Sequence, residues 1–284
     1  MLKVITPATS ANLGPGFDSF GIAYELYNTF EVELSEQLFI EGCEEKYRNE
    51  NNLFYVAFHE IAKIAQRSEK CRVRINAQIP VSRGLGSSSS LICAGVLAAD
   101  ALFESGLNKE ELFVIAARIE GHPDNVAPCL FGGFTCSYQS DGPKHIGLKV
   151  KEDLRFTLIV PDYEVATAMA RSVLPEEVPM EDAVYNLSHS ALLIEAMRTG
   201  RDDLLKEALN DRLHQPYRRK LISDFDRIEK LVKEKGALGF VISGSGSTML
   251  AISKDPEFSK KIKDELSDYQ ILDLKVDTQG ARIL

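Results

Sequence analysis

The chain carries 284 residues, 44% of them apolar and 26% charged. That composition excludes a disordered or fibrous protein and, at about 150 residues per domain, predicts roughly two globular domains. Acidic residues outnumber basic ones by 42 to 33, and the formal charge of −9 argues against a nucleic-acid partner or an anionic-membrane surface while leaving room for a local anion pocket.

Residues 3–5 predict a short strand, followed by a loop, TPATSANLGPGFDSFG, in which Gly14, Pro15 and Gly16 interrupt regular structure. Phe30, Val32 and Leu34 alternate with polar neighbours, the pattern of a half-buried strand. Residues 53–65 set Leu53, Val56, Ala57, Ile61 and Ile64 on one helical face, and Val73 and Ile75 mark another strand. The loop IPVSRGLGSSSS then runs into residues 91–103, apolar almost all round apart from Asp100, which predicts a deeply buried helix. Its apolar run, residues 91–99, falls far short of the ~20 residues that cross a bilayer. The first residues lack the apolar core of a secretion signal, so a cytoplasmic location with no membrane partner is expected. Asn108 and Glu111 have the spacing of a capping box and start a helix that reaches Glu120, where Gly121 and Pro123 interrupt it. The short element DNVAPCL leads into the strand-like GGFTCSY, and SDGPK reads as a turn. Cys43, Cys71, Cys93, Cys129 and Cys136 are scattered without a CxxC pair, which fits reduced thiols better than a disulfide framework.

The pattern restarts at Leu154, where Phe156, Leu158 and Val160 alternate up to Pro161; a domain boundary near residue 150 divides the chain into 1–150 and 151–284. Helices are predicted over residues 180–198, 203–210 and 224–235, then strands over 238–242 and 248–252 flanking SGSGS. A helix over 256–266 and a strand over 271–276 follow. This is the ferredoxin-like βαββαβ order with additional helices inserted in its first crossover, and the fold class is α+β with two domains.

Three segments carry chemistry. In residues 80–90, glycines at 84 and 86 let backbone approach a ligand, and the serines stand where a buried helix begins and offers free N–H groups to an anion. A Gly/Ser connector fits the same composition, and Arg83 reads equally as a ligand cation or a solvated surface arginine. No Walker A ending is present, so positive charge has to come from elsewhere, such as a magnesium ion. In EGHPDNVAP, Glu120, His122, Asp124 and Asn125 crowd an interrupted helix end, although Asp124 alone suits a helix cap and His122 alone a structural residue. No zinc-ligand spacing occurs among the five histidines. The third segment, SGSGS, reads by itself as a Gly-rich β-loop.

Together, in this order and over nearly the whole chain, TPATSANLGPGFDSFG, GLGSSSS, EGHPDNVAPCLFGGF and SGSGST resemble the GHMP kinase family of small-molecule kinases. The first and the DNVAP segment are similar to the branch acting on L-homoserine rather than on mevalonate or galactose. The resemblance implies an N-terminal α/β domain with a left-handed βαβ unit around the phosphate loop, ATP and Mg2+ as cofactors, and a homodimer. It assigns the loop Pro80, Val81, Ser82, Arg83, Gly84, Leu85, Gly86, Ser87, Ser88, Ser89 and Ser90 to ATP, with Ser88 and Glu120 holding the metal. Glu120, Asp124 and Asn125 take the catalytic positions. Asn12, Asp18, His122, Asp124, Arg171 and Arg218 match substrate contacts, the carboxylate of Asp18 suiting an ammonium and the two arginines a carboxylate. The resemblance further implies O-phosphohomoserine as the product, on the way to threonine. Asn52 is a weak candidate for nucleotide contact. Another alcohol substrate, a non-catalytic ligand-binding member and an RNA-associated module are the alternatives this reading leaves open.

Overall fold

The computed structural model describes all 284 residues. Its first half comprises β1 (Leu2–Ala11), β2 (Phe20–Ser35), β3 (Phe39–Glu41), α1 (Leu53–Ile64), β4 (Lys70–Asn76), α2 (Ser87–Phe103), α3 (Lys109–Glu120), α4 (Val126–Phe131), β5 (Phe134–Ser140) and β6 (Gly142–Leu148). The second half runs β7 (Arg155–Val160), α5 (Thr167–Ser172), α6 (Met180–Thr199), α7 (Asp202–Ala208), α8 (Gln215–Arg218), α9 (Phe225–Glu234), β8 (Gly239–Ile242), β9 (Met249–Ser253), α10 (Phe258–Lys263), β10 (Gln270–Leu274) and β11 (Arg282–Ile283). No helix is long and apolar enough to cross a membrane.

The helix starts are chemically explicit. Asn52 caps α1 by accepting from Phe54 N, and Asn108 with Glu111 closes the expected capping box of α3. The second sheet has the strand order β10-β7-β9-β8, all antiparallel, which is the ferredoxin-like arrangement with α5 to α9 filling the first crossover.

Several expectations need correction. The predicted loop over TPATSANLGPGFDSFG is far shorter, because β1 continues to Ala11 and β2 begins at Phe20. Gly14, Pro15 and Gly16 interrupt only the middle of the stretch, and Pro7 is accommodated within β1 at the register shift between Pro7 and Ala8, where a missing ladder N–H is tolerated. SDGPK does turn, in a tight hairpin that pairs Ser140 with Gly142, but the turn is confined to Asp141, and Gly142 to Lys144 already belong to β6. At the end of the chain, β11 returns to pair antiparallel with β1 in the first sheet.

Two sheets with alternating side chains generate three packed layers. A cluster of 29 buried residues lies between the first sheet and its helices α1 to α4. A second, of 21, joins the halves: Phe20, Ile22 and Tyr24 from β2 meet Phe156 and Leu158 from β7. A third, of 14, is sealed by α9 and α10, and Ile159 faces it while Leu158 and Val160 face the second cluster. That period of two makes β7 a shared wall. A continuous apolar core across the halves fixes the cleft between them instead of leaving it on a free hinge.

Candidate active site

Gly86 decides where α2 begins. It adopts φ +67° as the N-cap, contributes no side-chain acceptor, and has no room for a Cβ because Thr9 Oγ1 occupies that space. The first N–H groups of α2, at Ser87 and Ser88, have no acceptor one turn earlier in the helix, and both residues line a cleft of about 950 Å3. The helix behind them is buried along most of its length, so the positive end of its dipole works in a poorly screened setting.

At the left-handed C-cap Gly121, α3 ends and places Glu120 over this turn. Ser88 Oγ donates to Glu120 Oε1 at 2.5 Å and Ser89 Oγ donates to the same oxygen at 2.8 Å. The Ser88 hydroxyl and the Glu120 carboxylate thus form a pair of hard oxygens on the cleft wall, a donor set of the kind that would suit Mg2+.

Next to it, the chain between α3 and α4 folds around one carboxylate. Asp124 Oδ1 accepts from Asn125 N at 2.9 Å and pairs with His122 Nδ1 at 2.7 Å, while Asp124 is only 2% exposed. Asn125, not Asp124, is the N-cap of α4, so the capping reading of Asp124 does not hold. Thr9 Oγ1 donates to Asn125 Oδ1 at 2.7 Å and ties this turn to β1. Burial works most strongly against protonation of His122, but the hydrogen bond to Asp124 together with the negative charges of Asp124, Glu120 and Asp18 outweighs it and raises its pKa.

The far end of the cleft is a charge constellation. Arg171 donates from Nη1 and Nη2 to Asp18 Oδ2 and Oδ1, both at 3.0 Å, a two-pronged pair that raises the arginine's pKa. Arg218, 2% exposed, donates from Nε to Ala170 O and from Nη1 to Gly244 O, each at 3.1 Å. Its guanidinium stands 5.1 Å from the Phe17 ring, and that of Arg171 5.7 Å. Burial, followed by repulsion from Arg171, lowers the Arg218 pKa. Two guanidiniums and the carboxylates of Asp18 and Asp124 suit a small zwitterion.

Comparison with known proteins gives the family. The GHMP kinases N terminal domain matches residues 52–133 and the GHMP kinases C terminal matches residues 193–271. The chain is a GHMP kinase. A homoserine kinase of Clostridium botulinum Type A is 43% identical over 290 residues, covering 99% of this chain and 97% of its own. Another from the Type B strain Eklund 17B is 40% identical, with 100% and 99% covered. The crystal structure of homoserine kinase from Cytophaga hutchinsonii superposes with a TM-score of 0.90 at 28% identity, covering 100% of this chain and 97% of that one.

In this GHMP kinase the cleft brings together Asn12, Asp18, Val81, Ser82, Arg83, Gly84, Leu85, Gly86, Ser87, Ser88, Glu120, His122, Asp124, Asn125, Arg171 and Arg218. Pro80, Ser89 and Ser90 lie outside its lining. Ser90 points into the core, where its Oγ bonds Thr6 Oγ1 and accepts from Asn28 Nδ2. Arg83 is partly buried and engaged: it donates to the carbonyls of Val81, Pro161 and Asp162, lies 3.6 Å from Glu164 Oε1, and clamps the loop to the end of β7. Asn12 spends its amide on Asp18 N and Gly244 O, so it shapes the substrate loop. Asn52 lines the cleft, but its side chain is engaged by Phe54 N and Tyr47 O.

The role of SGSGS escaped the sequence. Ser243 Oγ donates to Gly84 O at 2.6 Å and Thr248 N donates to Arg83 O, so the β8–β9 loop buttresses residues 83–84 from below. Thr9, Thr167 and Ser245 were also missed; scattered single hydroxyls have no pattern that would single them out.

Proposed function

We propose that this protein transfers the γ-phosphoryl group of ATP to the side-chain hydroxyl of L-homoserine, giving O-phospho-L-homoserine and ADP. The observation that carries the reading is a single cleft in which an uncapped helix start with Ser88 and Glu120 shares walls with Asp18, Arg171 and Arg218. Homoserine kinases 40–43% identical over the full chain support the choice of alcohol.

Phosphoryl transfer demands alignment and charge neutralisation more than covalent chemistry. The N–H groups at the start of α2 hold phosphate oxygens, and Ser88 with Glu120 would hold Mg2+, which supplies positive charge to the phosphates when bound. At the other end Asp18 receives the substrate ammonium, and Arg171 and Arg218 take its carboxylate. Because Asp18 and Arg171 already pair with each other, a zwitterion inserts by exchanging one ion pair for two. Asp124 has one oxygen occupied by His122 and Asn125 N, which leaves Oδ2 to orient the hydroxyl and accept its proton. Cytoplasmic location, a homodimer and a step toward threonine belong to the same reading.

ADP release measured with homoserine, mevalonate, galactose and shikimate tests it. Turnover with homoserine alone is the expected result; turnover with another alcohol in preference reassigns the substrate, and none with any alcohol removes the kinase reading.

A further inference from the structure

The last turn of the chain touches nothing in the cleft, yet it is built with unusual care. Asp277 is 3% exposed. Its Oδ1 accepts from Gln279 N at 3.0 Å and Gly280 N at 2.5 Å, and its Oδ2 accepts from the Tyr27 hydroxyl at 2.7 Å. Arg282 Nη1 lies 3.4 Å from Oδ2 and donates to Gly280 O at 2.9 Å. The backbone is engaged as well: Asp277 N donates to Ala23 O, Gly133 N donates to Asp277 O, and Ala281 N donates to Cys129 O.

This turn is laid on the far end of α4. Gly280, at φ +72°, has no room for a Cβ because the Leu130 carbonyl is there, and a Cβ on Gly132 would run into Thr278. The near end of α4 is Asn125, preceded by Asp124. With six residues, α4 is too short to hold its geometry by its own hydrogen bonds and spans only about 9 Å. Cys129 Sγ also approaches Ser89 O at 3.8 Å, so α4 leans on the first turn of α2.

We propose that residues 277–282 are a strap that fixes α4, and that Asp277 is a positioning residue for Asp124 and Asn125. The proposal deepens the phosphotransfer reading and rests on it for its kinetic consequence. Loosening the strap leaves both binding ends intact and displaces the group that aims the hydroxyl, so kcat falls while both KM values hold.

The test uses the full chain with Asp277→Asn and Gly280→Ala, plus Tyr27→Phe as the milder variant should the first two fail to melt cooperatively. Expected are a kcat at least about tenfold lower, KM for ATP and homoserine within about twofold of the parent, and faster amide exchange at Ala127 and Cys129. A folded variant with parental kcat overturns the proposal, as does a lowered kcat with parental exchange along α4. A parent that releases no ADP with homoserine counts against the function reading alone, because the exchange measurement still decides whether the strap holds α4.

Discussion

Arg218→Met separates binding from folding at the carboxylate end. The substitution keeps an unbranched stem and removes donors to Ala170 O and Gly244 O, the latter still served by Asn12 Nδ2 at 2.9 Å. One buried carbonyl left short of a donor costs about 1–3 kcal/mol. Removing a buried charge whose ionised form burial already disfavours offsets part of this. Net destabilisation should therefore stay near 1 kcal/mol, about 2–4 °C in Tm. Binding suffers more: a charge-assisted hydrogen bond to a carboxylate is worth about 1.5–3 kcal/mol, which raises the homoserine KM about 10- to 150-fold. The assay varies homoserine at saturating ATP, then ATP at saturating homoserine, following ADP release. A folded variant whose homoserine KM stays within about twofold of the parent, or whose ATP KM rises equally, refutes the placement of the substrate carboxylate at Arg218.

Asp124→Asn should lower kcat by about a hundredfold or more with little change in either KM, and full retained turnover in steady-state kinetics removes any catalytic part for that carboxylate. Arg83→Met should raise the ATP KM about tenfold and spare that of homoserine, since the guanidinium holds the loop through three backbone carbonyls; an unchanged ATP KM shows that the clamp is dispensable. Burial lowers the pKa of His214, with Asp211 opposing. Below its ordinary value of 6.5 the unfolded chain then binds more protons than the native one, so this residue's contribution is present above that pH and is lost as pH falls through the native value. Melting curves between pH 5 and 8 should accordingly be flatter for His214→Gln than for the parent, and parallel curves disprove the assignment.

Local chemistry was legible where a residue acts through its neighbours in sequence. The capping box at Asn108 and Glu111, the buried helix after GLGSSSS and the alternation of β7 all follow from spacing, and each came out as expected. The motif order also sufficed for the family, and about half of the residues that line the cleft were named from those motifs or beside them. Long-range partners were not legible. Arg83 and Ser90 resemble loop ligands in the sequence, but one clamps Pro161 and Asp162 and the other bonds Thr6 and Asn28. Likewise the final strand had no pattern to announce that it crosses back to β1.

What the sequence determined by itself is thus the set of elements and the inventory of reactive groups, because periodicity and capping are decided within a few residues of each position. The tertiary structure alone decided which polar groups remain available to a ligand. Asn12, Asn52 and Arg83 are spent on backbone partners brought near by folding, whereas Ser88, Glu120 and Asp124 face the cleft. A buried donor or acceptor must find a partner, and that partner is set by packing between segments far apart in the chain.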